Sequence, residues 1–166
     1  MHKLLVILIA AIAPVHAQAQ GFAINDLTRI EAAVTRALGQ GFDGRAQANR
    51  LTLTCLSCTG KPIIDILLGQ QNDGTEKRLR SGETKISDLE RLCQQNSPEC
   101  RLSDLEVAPA VGWITSYPIG DNAGATAIVI QDGDLLTIRS LAKTAATARR
   151  SIDNLMPLIR AHVIGK

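Results

Sequence analysis

The stretch "GATAIVIQDGDLLTIRSLA", residues 124–142, limits the possible folds more than any other part of the chain. Two aliphatic runs flank Asp132-Gly133. An Asp-Gly pair in that position is the strongest short-range hairpin signal, because the favoured turn needs positive φ at both central residues. The chain is therefore committed to an antiparallel sheet. Upstream, "RLTLT" at 50–54 sets Leu51 and Leu53 against Thr52 and Thr54, the alternation of a half-buried strand. "PIIDILLGQ" at 62–70 also reads as a strand. The "NDG" at 72–74 is a turn signal, after which "TEKRLRS", 75–81, is expected to run back beside it.

Helical periodicity brackets these strands. In "INDLTRIEAAVTRAL", 24–38, Leu27, Ile30, Val34 and Leu38 form one stripe, with Asn25 or Asp26 as cap and Gly39 and Gly41 as stop. The polar segment that follows, "GQGFDGRAQAN", 39–49, reads as loop. Ser87-Asp88-Leu89-Glu90 has the spacing of a capping box and predicts a helix over about 85–95. Residues 101–120 read as loop and strand. The last segment, 143–162, places Ala148, Ile152, Leu155, Met156 and Ile159 on one stripe, with a kink or break expected near 153–156 because of Pro157. The order α-β-β-β-α-β-β-β-α defines an α+β domain, an antiparallel sheet packed against helices. Asp73-Gly74 precedes Arg80-Ser81 as Asp132-Gly133 precedes Arg139-Ser140, seven residues on in each case. The match reads either as two β-hairpin-helix units or as repeated turn chemistry. The element order resembles the secretion-chaperone-like α/β proteins and, in its terminal hairpin and helix, the PsbP-like fold; the likeness implies no site residue.

The opening "MHKLLVILIAAIAPVHAQAQ" has a basic start, an apolar run from Leu4 to Ala13, and Ala17-Gln18-Ala19 before a cleavage point after Ala19. That is a secretory signal peptide over 1–19, followed by a single domain over 20–166. The run is too short for the roughly 20 residues of a spanning helix, and its compactness points to the periplasm or beyond. Without Lys3, seventeen of the eighteen basic residues face sixteen acidic ones, a balance that argues against nucleic acid as partner. All four cysteines, Cys55, Cys58, Cys93 and Cys100, lie in the mature part. In an oxidising compartment they are expected as disulfides, and of three pairings the simplest joins neighbours. If Cys55 and Cys58 are joined, the strand has to end at Thr54 and the chain has to turn across Leu56-Ser57, because residues three apart in a strand are about 10 Å apart.

Catalytic chemistry finds little support. His2 and His16 leave with the signal peptide, so the mature chain keeps His162 alone, and no Ser-His-Asp or multi-histidine metal set can be assembled. Thr59 follows Cys58 where covalent haem attachment needs histidine. No cofactor is expected. The lone Trp113 and Tyr117 share a strand face, where they either form a binding platform or, the expected role, fill the core of an aromatic-poor domain. The functional expectation is an exported, non-catalytic accessory or binding protein whose partner is a periplasmic protein or a small ligand. The alternative is a thiol–disulfide oxidoreductase or thiol metal carrier using Cys55 and Cys58.

Overall fold

The computed structural model describes residues 21–165, so the signal peptide expected over 1–19 lies outside the described residues. Seven strands form one antiparallel sheet: β1 Asp43–Gln47, β2 Arg50–Thr54, β3 Ile63–Gln70, β4 Arg101–Asp104, β5 Val111–Ile119, β6 Asn122–Gln131 and β7 Asp134–Ala142. Their order is β1-β2-β3-β7-β6-β5-β4. Four α-helices accompany them: α1 Glu31–Leu38, α2 Thr75–Arg80, α3 Ile86–Asn96 and α4 Ala145–Ile159. The chain is an α+β fold. Among the described residues no helix is long and apolar enough to cross a membrane.

The β6–β7 hairpin turns at Asp132 and Gly133, both at positive φ, 51° and 88°. The expected return of "TEKRLRS" does not occur. Residues Thr75–Arg80 form α2, and β3 pairs with β7 along its whole length, from Ile63 opposite Leu141 to Gln70 opposite Asp134. The reason is local: Glu, Lys, Leu and Arg favour helix, Asp73 accepts the Thr75 N–H at 3.0 Å, and Glu76 pairs with Arg80 one turn on. The two β-hairpin-helix units are therefore not present, because the first Asp-Gly opens a helix. A second departure is β1, inside the segment expected as loop. Asp43–Gln47 has no β-branched residue or alternation, and a hairpin at Ala48-Asn49 with no glycine secures it to β2. The helix expected over about 85–95 forms as α3, Ile86–Asn96, but its cap lies at Lys85 and not Ser87, the Lys85 N–H donating to Asp88 Oδ2 at 3.0 Å. Finally, α4 continues through Pro157, and the irregularity comes later, as a π turn over Arg160–Ile164. Pro157 and Asp153 both face solvent, so the carbonyl deprived of a partner is open to water.

One face of the sheet carries the core. Leu51, Leu53, Ile64, Ile66, Ile114, Leu136 and Ile138 point from it against Val34 of α1 and Ile152, Leu155 and Ile159 of α4, all essentially inaccessible. The chain start is fastened to the same structure. The Phe22 N–H donates to Asp134, Gln131 donates to the Gly21 carbonyl, and the Ala23 N–H donates to the Val163 carbonyl. The helices α2 and α3 touch β5 and β4 instead. Glu76 clamps the start of α2 by accepting the Asp132 and Gly133 N–H groups, both at 3.0 Å.

The two faces should respond differently to truncation. Ile138→Ala, in the core, is expected to lower the unfolding free energy by about 2–5 kcal/mol. Ile63→Ala, on the other face and 43% exposed, should change it by less than about 0.5–1 kcal/mol. Denaturant melts of the two variants check this; similar losses would mean that both faces are covered.

Candidate functional site

The second face of the sheet carries the residues that alternate with the core positions, and several of them are exposed or half-buried. Strand register aligns Arg45, Thr52, Asp65, Arg139, Thr126 and Thr115 in one row across β1-β2-β3-β7-β6-β5. A parallel row holds Ile63, Leu141, Gly124 and Tyr117, and another holds Leu67, Thr137, Ile128 and Trp113. These residues alternate with the core positions, so they point away from α1 and α4.

Trp113 and Tyr117 therefore share a face, but it is not the core face. The expectation that they fill the core is corrected: both are half-buried on the opposite side. The core positions of β5 are taken by Gly112 and Ile114, and aliphatic side chains from β2, β3, β6, β7 and α4 complete the interior. The Tyr117 ring lies over Gly124, where a Cβ would sit 2.7 Å from Cε2, so this glycine makes room for the ring. The hydroxyl of Tyr117 is hydrogen-bonded to Thr126 Oγ1 at 2.9 Å. Ile63 and Ile119 add exposed aliphatic surface at the same end of the sheet.

Charge is concentrated at the middle of this face. The Arg50 guanidinium donates to both oxygens of Asp65, at 3.0 and 3.1 Å, and the Thr52 hydroxyl donates to Oδ1 at 2.6 Å. Arg139 approaches the same carboxylate at 3.9 Å. Partial burial would raise the Asp65 pKa, but the hydrogen bonds from Thr52 and Arg50 and the charges of Arg50 and Arg139 outweigh it and hold it below the usual aspartate value. The result is a polar centre with fixed orientation, bordered by Tyr117, Ile63 and Leu141.

Both neighbouring cysteine pairs are joined. Cys55 and Cys58 have Cα atoms 5.4 Å apart, and Cys93 and Cys100 5.9 Å apart. β2 ends at Thr54, and the chain bends through Leu56 and Ser57, closing with the Cys55 N–H donating to the Pro62 carbonyl. Cys55 is fully buried at a strand end rather than in the first turn of a helix, and Cys58 is half-buried. His162 is exposed on the π turn. Among the described residues no group of three or more His, Cys, Asp or Glu is arranged to hold a metal ion. A separate groove of about 770 Å³ lies between the α2–α3 connection and the β4–β5 loop, with Leu79, Ile86, Leu105 and Val111 in its wall and Lys85, Glu106 and Arg160 at its rim. No sequence signal marks it, because its lining comes from three separate segments, 79–86, 104–112 and Arg160.

The Asp65 pair yields a pH dependence. Its folded pKa is depressed, so the stabilisation is complete above the unfolded value near 4 and is lost as pH falls through the lower folded value. Asp65→Asn is expected to cost about 1–2 kcal/mol at neutral pH. It should also flatten the acid limb of the stability curve relative to the parent; an unchanged limb in urea melts from pH 7 to about pH 2 would show that the network contributes nothing. No protein-family model matches this chain, and no curated protein matches it, so the function rests on the surface just described.

Proposed function

We propose that the mature chain is an exported, non-catalytic binding or accessory protein of the periplasm, and that the second face of its sheet meets a periplasmic protein or small ligand. The observation that carries this reading is the juxtaposition of half-buried Tyr117 and Trp113 and exposed Ile63 and Ile119 with the oriented Arg50–Asp65–Arg139 centre. Apolar anchors beside a fixed polar group are the ingredients of a recognition surface. Two disulfides in a chain of 166 residues, behind a signal-type N-terminus, support an oxidising compartment.

Thiol exchange or thiol metal transfer at Cys55 and Cys58 is the second reading, favoured by the adjacency of the pair and the partial exposure of Cys58. Burial of Cys55 at a strand end weighs against it, since a reactive thiolate needs an exposed, electropositive setting.

Affinity capture from periplasmic extract separates these readings. The parent chain should retain a species that Ile63→Arg fails to retain while its melting temperature is unchanged. Cys55→Ser/Cys58→Ser should retain that species once folded. Loss of capture with the cysteine variant alone would transfer the function to the thiols, and equal retention by every variant would remove the sheet face from consideration.

A further inference from the structure

The two edges of the sheet are treated differently. At the β4 edge, α3 lies alongside and Glu90 accepts the Leu102 N–H at 3.4 Å. Such cover protects an edge from pairing with another chain. At the β1 edge, α1 and the Leu27–Arg29 turn contact the strand and the Leu27 N–H donates to the Ala48 carbonyl at 2.8 Å, but that bond falls beyond Gln47 and no backbone or side-chain partner reaches the outer side of Gly44 or Ala46 among the described residues. The Cys55 N–H bonds to the Pro62 carbonyl and the Leu68 N–H to the Asn49 carbonyl, so odd-numbered residues of β2 bond towards β3. Residues 50, 52 and 54 therefore bond towards β1, to Gln47, Arg45 and Asp43. Gly44 and Ala46 are left with N–H and carbonyl groups directed outward, and among the described residues neither has a hydrogen-bond partner.

The charges along this edge are also unused. Among the described residues Asp43, Arg45, Glu31 and Arg36 make no ion pair, although Asp65, Glu76, Asp88 and Asp153 all do. A groove of about 720 Å³ runs between α1 and β1, lined by Glu31, Ala32, Thr35, Arg36 and Gly44 among others. Gly44 is the close point of that groove: a Cβ there would lie 3.0 Å from Glu31 Oε1 and 3.3 Å from Thr35 Oγ1.

We propose that the β1 edge is a self-association surface, at which a second copy of this chain adds its own β1 antiparallel about a two-fold axis through Gly44. That register pairs Gly44 with its copy and Ala46 with the second copy's Phe42, which satisfies the outward backbone groups. It sets Asp43 opposite the second copy's Arg45, twice, on the open face of the sheet. The same axis runs α1 antiparallel to its copy and brings Glu31 beside the second copy's Thr35 and Arg36, with Ala32 small enough to let the helices approach. Opposite charges thus meet on both sides of the joined sheet, and the second faces of the two copies become one continuous surface.

A charge-swap series measured by sedimentation velocity over a range of concentrations tests this. The mature parent is expected to dimerise. Arg45→Asp, which sets Asp43 against a second carboxylate, should weaken the dimer at least about tenfold, equivalent to about 1.4 kcal/mol. Asp43→Arg/Arg45→Asp should restore it to within about threefold. As a readout independent of variants, the Gly44 and Ala46 amides of the parent should exchange more slowly as concentration rises. A parent that is monomeric throughout, a dimer indifferent to Arg45→Asp, a double variant that fails to recover while folded, or a foreign peptide found paired with β1 would each overturn the proposal.

Discussion

Everything in this fold depends on one seam, β3 against β7. The β1-β2-β3 meander and the β7-β6-β5-β4 meander are joined side by side at this pairing alone, eight residues long, between segments more than sixty residues apart in sequence. Its register sets Ile64 and Ile66 beside Ser140 and Ile138 on one face and Asp65 beside Arg139 on the other. The seam thus builds the centre of the core and the centre of the polar surface in the same step. Loop-closure entropy opposes so distant a pairing, and the burial of Ile64, Ile66, Leu136 and Ile138 beneath α4 offsets it.

From the seam the division of labour between the faces follows. α4 leaves β7 and packs back over β6 and β7, and α1 packs against α4 and β1, so the aliphatic face is closed. The helices α2 and α3 contact β5 and β4, and the other face of β3, β7 and β6 keeps a mixed row of threonine, arginine, aspartate and aliphatic residues, with Ile130 of β6 as its buried exception. Antiparallel sheets tolerate one solvated face, which is why such a surface costs the fold little and remains free for recognition. The disulfides act at the margins: one closes the β2–β3 connection, the other ties the end of α3 to the start of β4.

Much of this was legible in the residues. "DGD" between aliphatic runs, Leu51/Leu53 alternation and the stripe of Ile152, Leu155 and Ile159 each carry a local physical signal, and each element formed where it was expected. What was not legible depends on partners. Asp43–Gln47 is a strand because β2 lies beside it, not because of its own composition. Thr75–Arg80 does not return beside β3 because β7 occupies that place, and its own residues and the Asp73 and Glu76 bonds then set it as helix. The side of β5 that faces inward was equally invisible, because alternation places Trp113 and Tyr117 together without saying which face α4 covers. The groove between the α2–α3 connection and the β4–β5 loop belongs to the same class, being assembled by tertiary contact.

This sheet has one closed and one open face, and solvent paramagnetic relaxation at isoleucine methyl groups distinguishes them. Ile64, Ile66, Ile114 and Ile138 should be spared by a soluble paramagnetic agent, whereas Ile63 and Ile119 should broaden strongly and Ile128 to an intermediate degree. Uniform protection of all seven would place a cover over the face on which the proposed recognition depends.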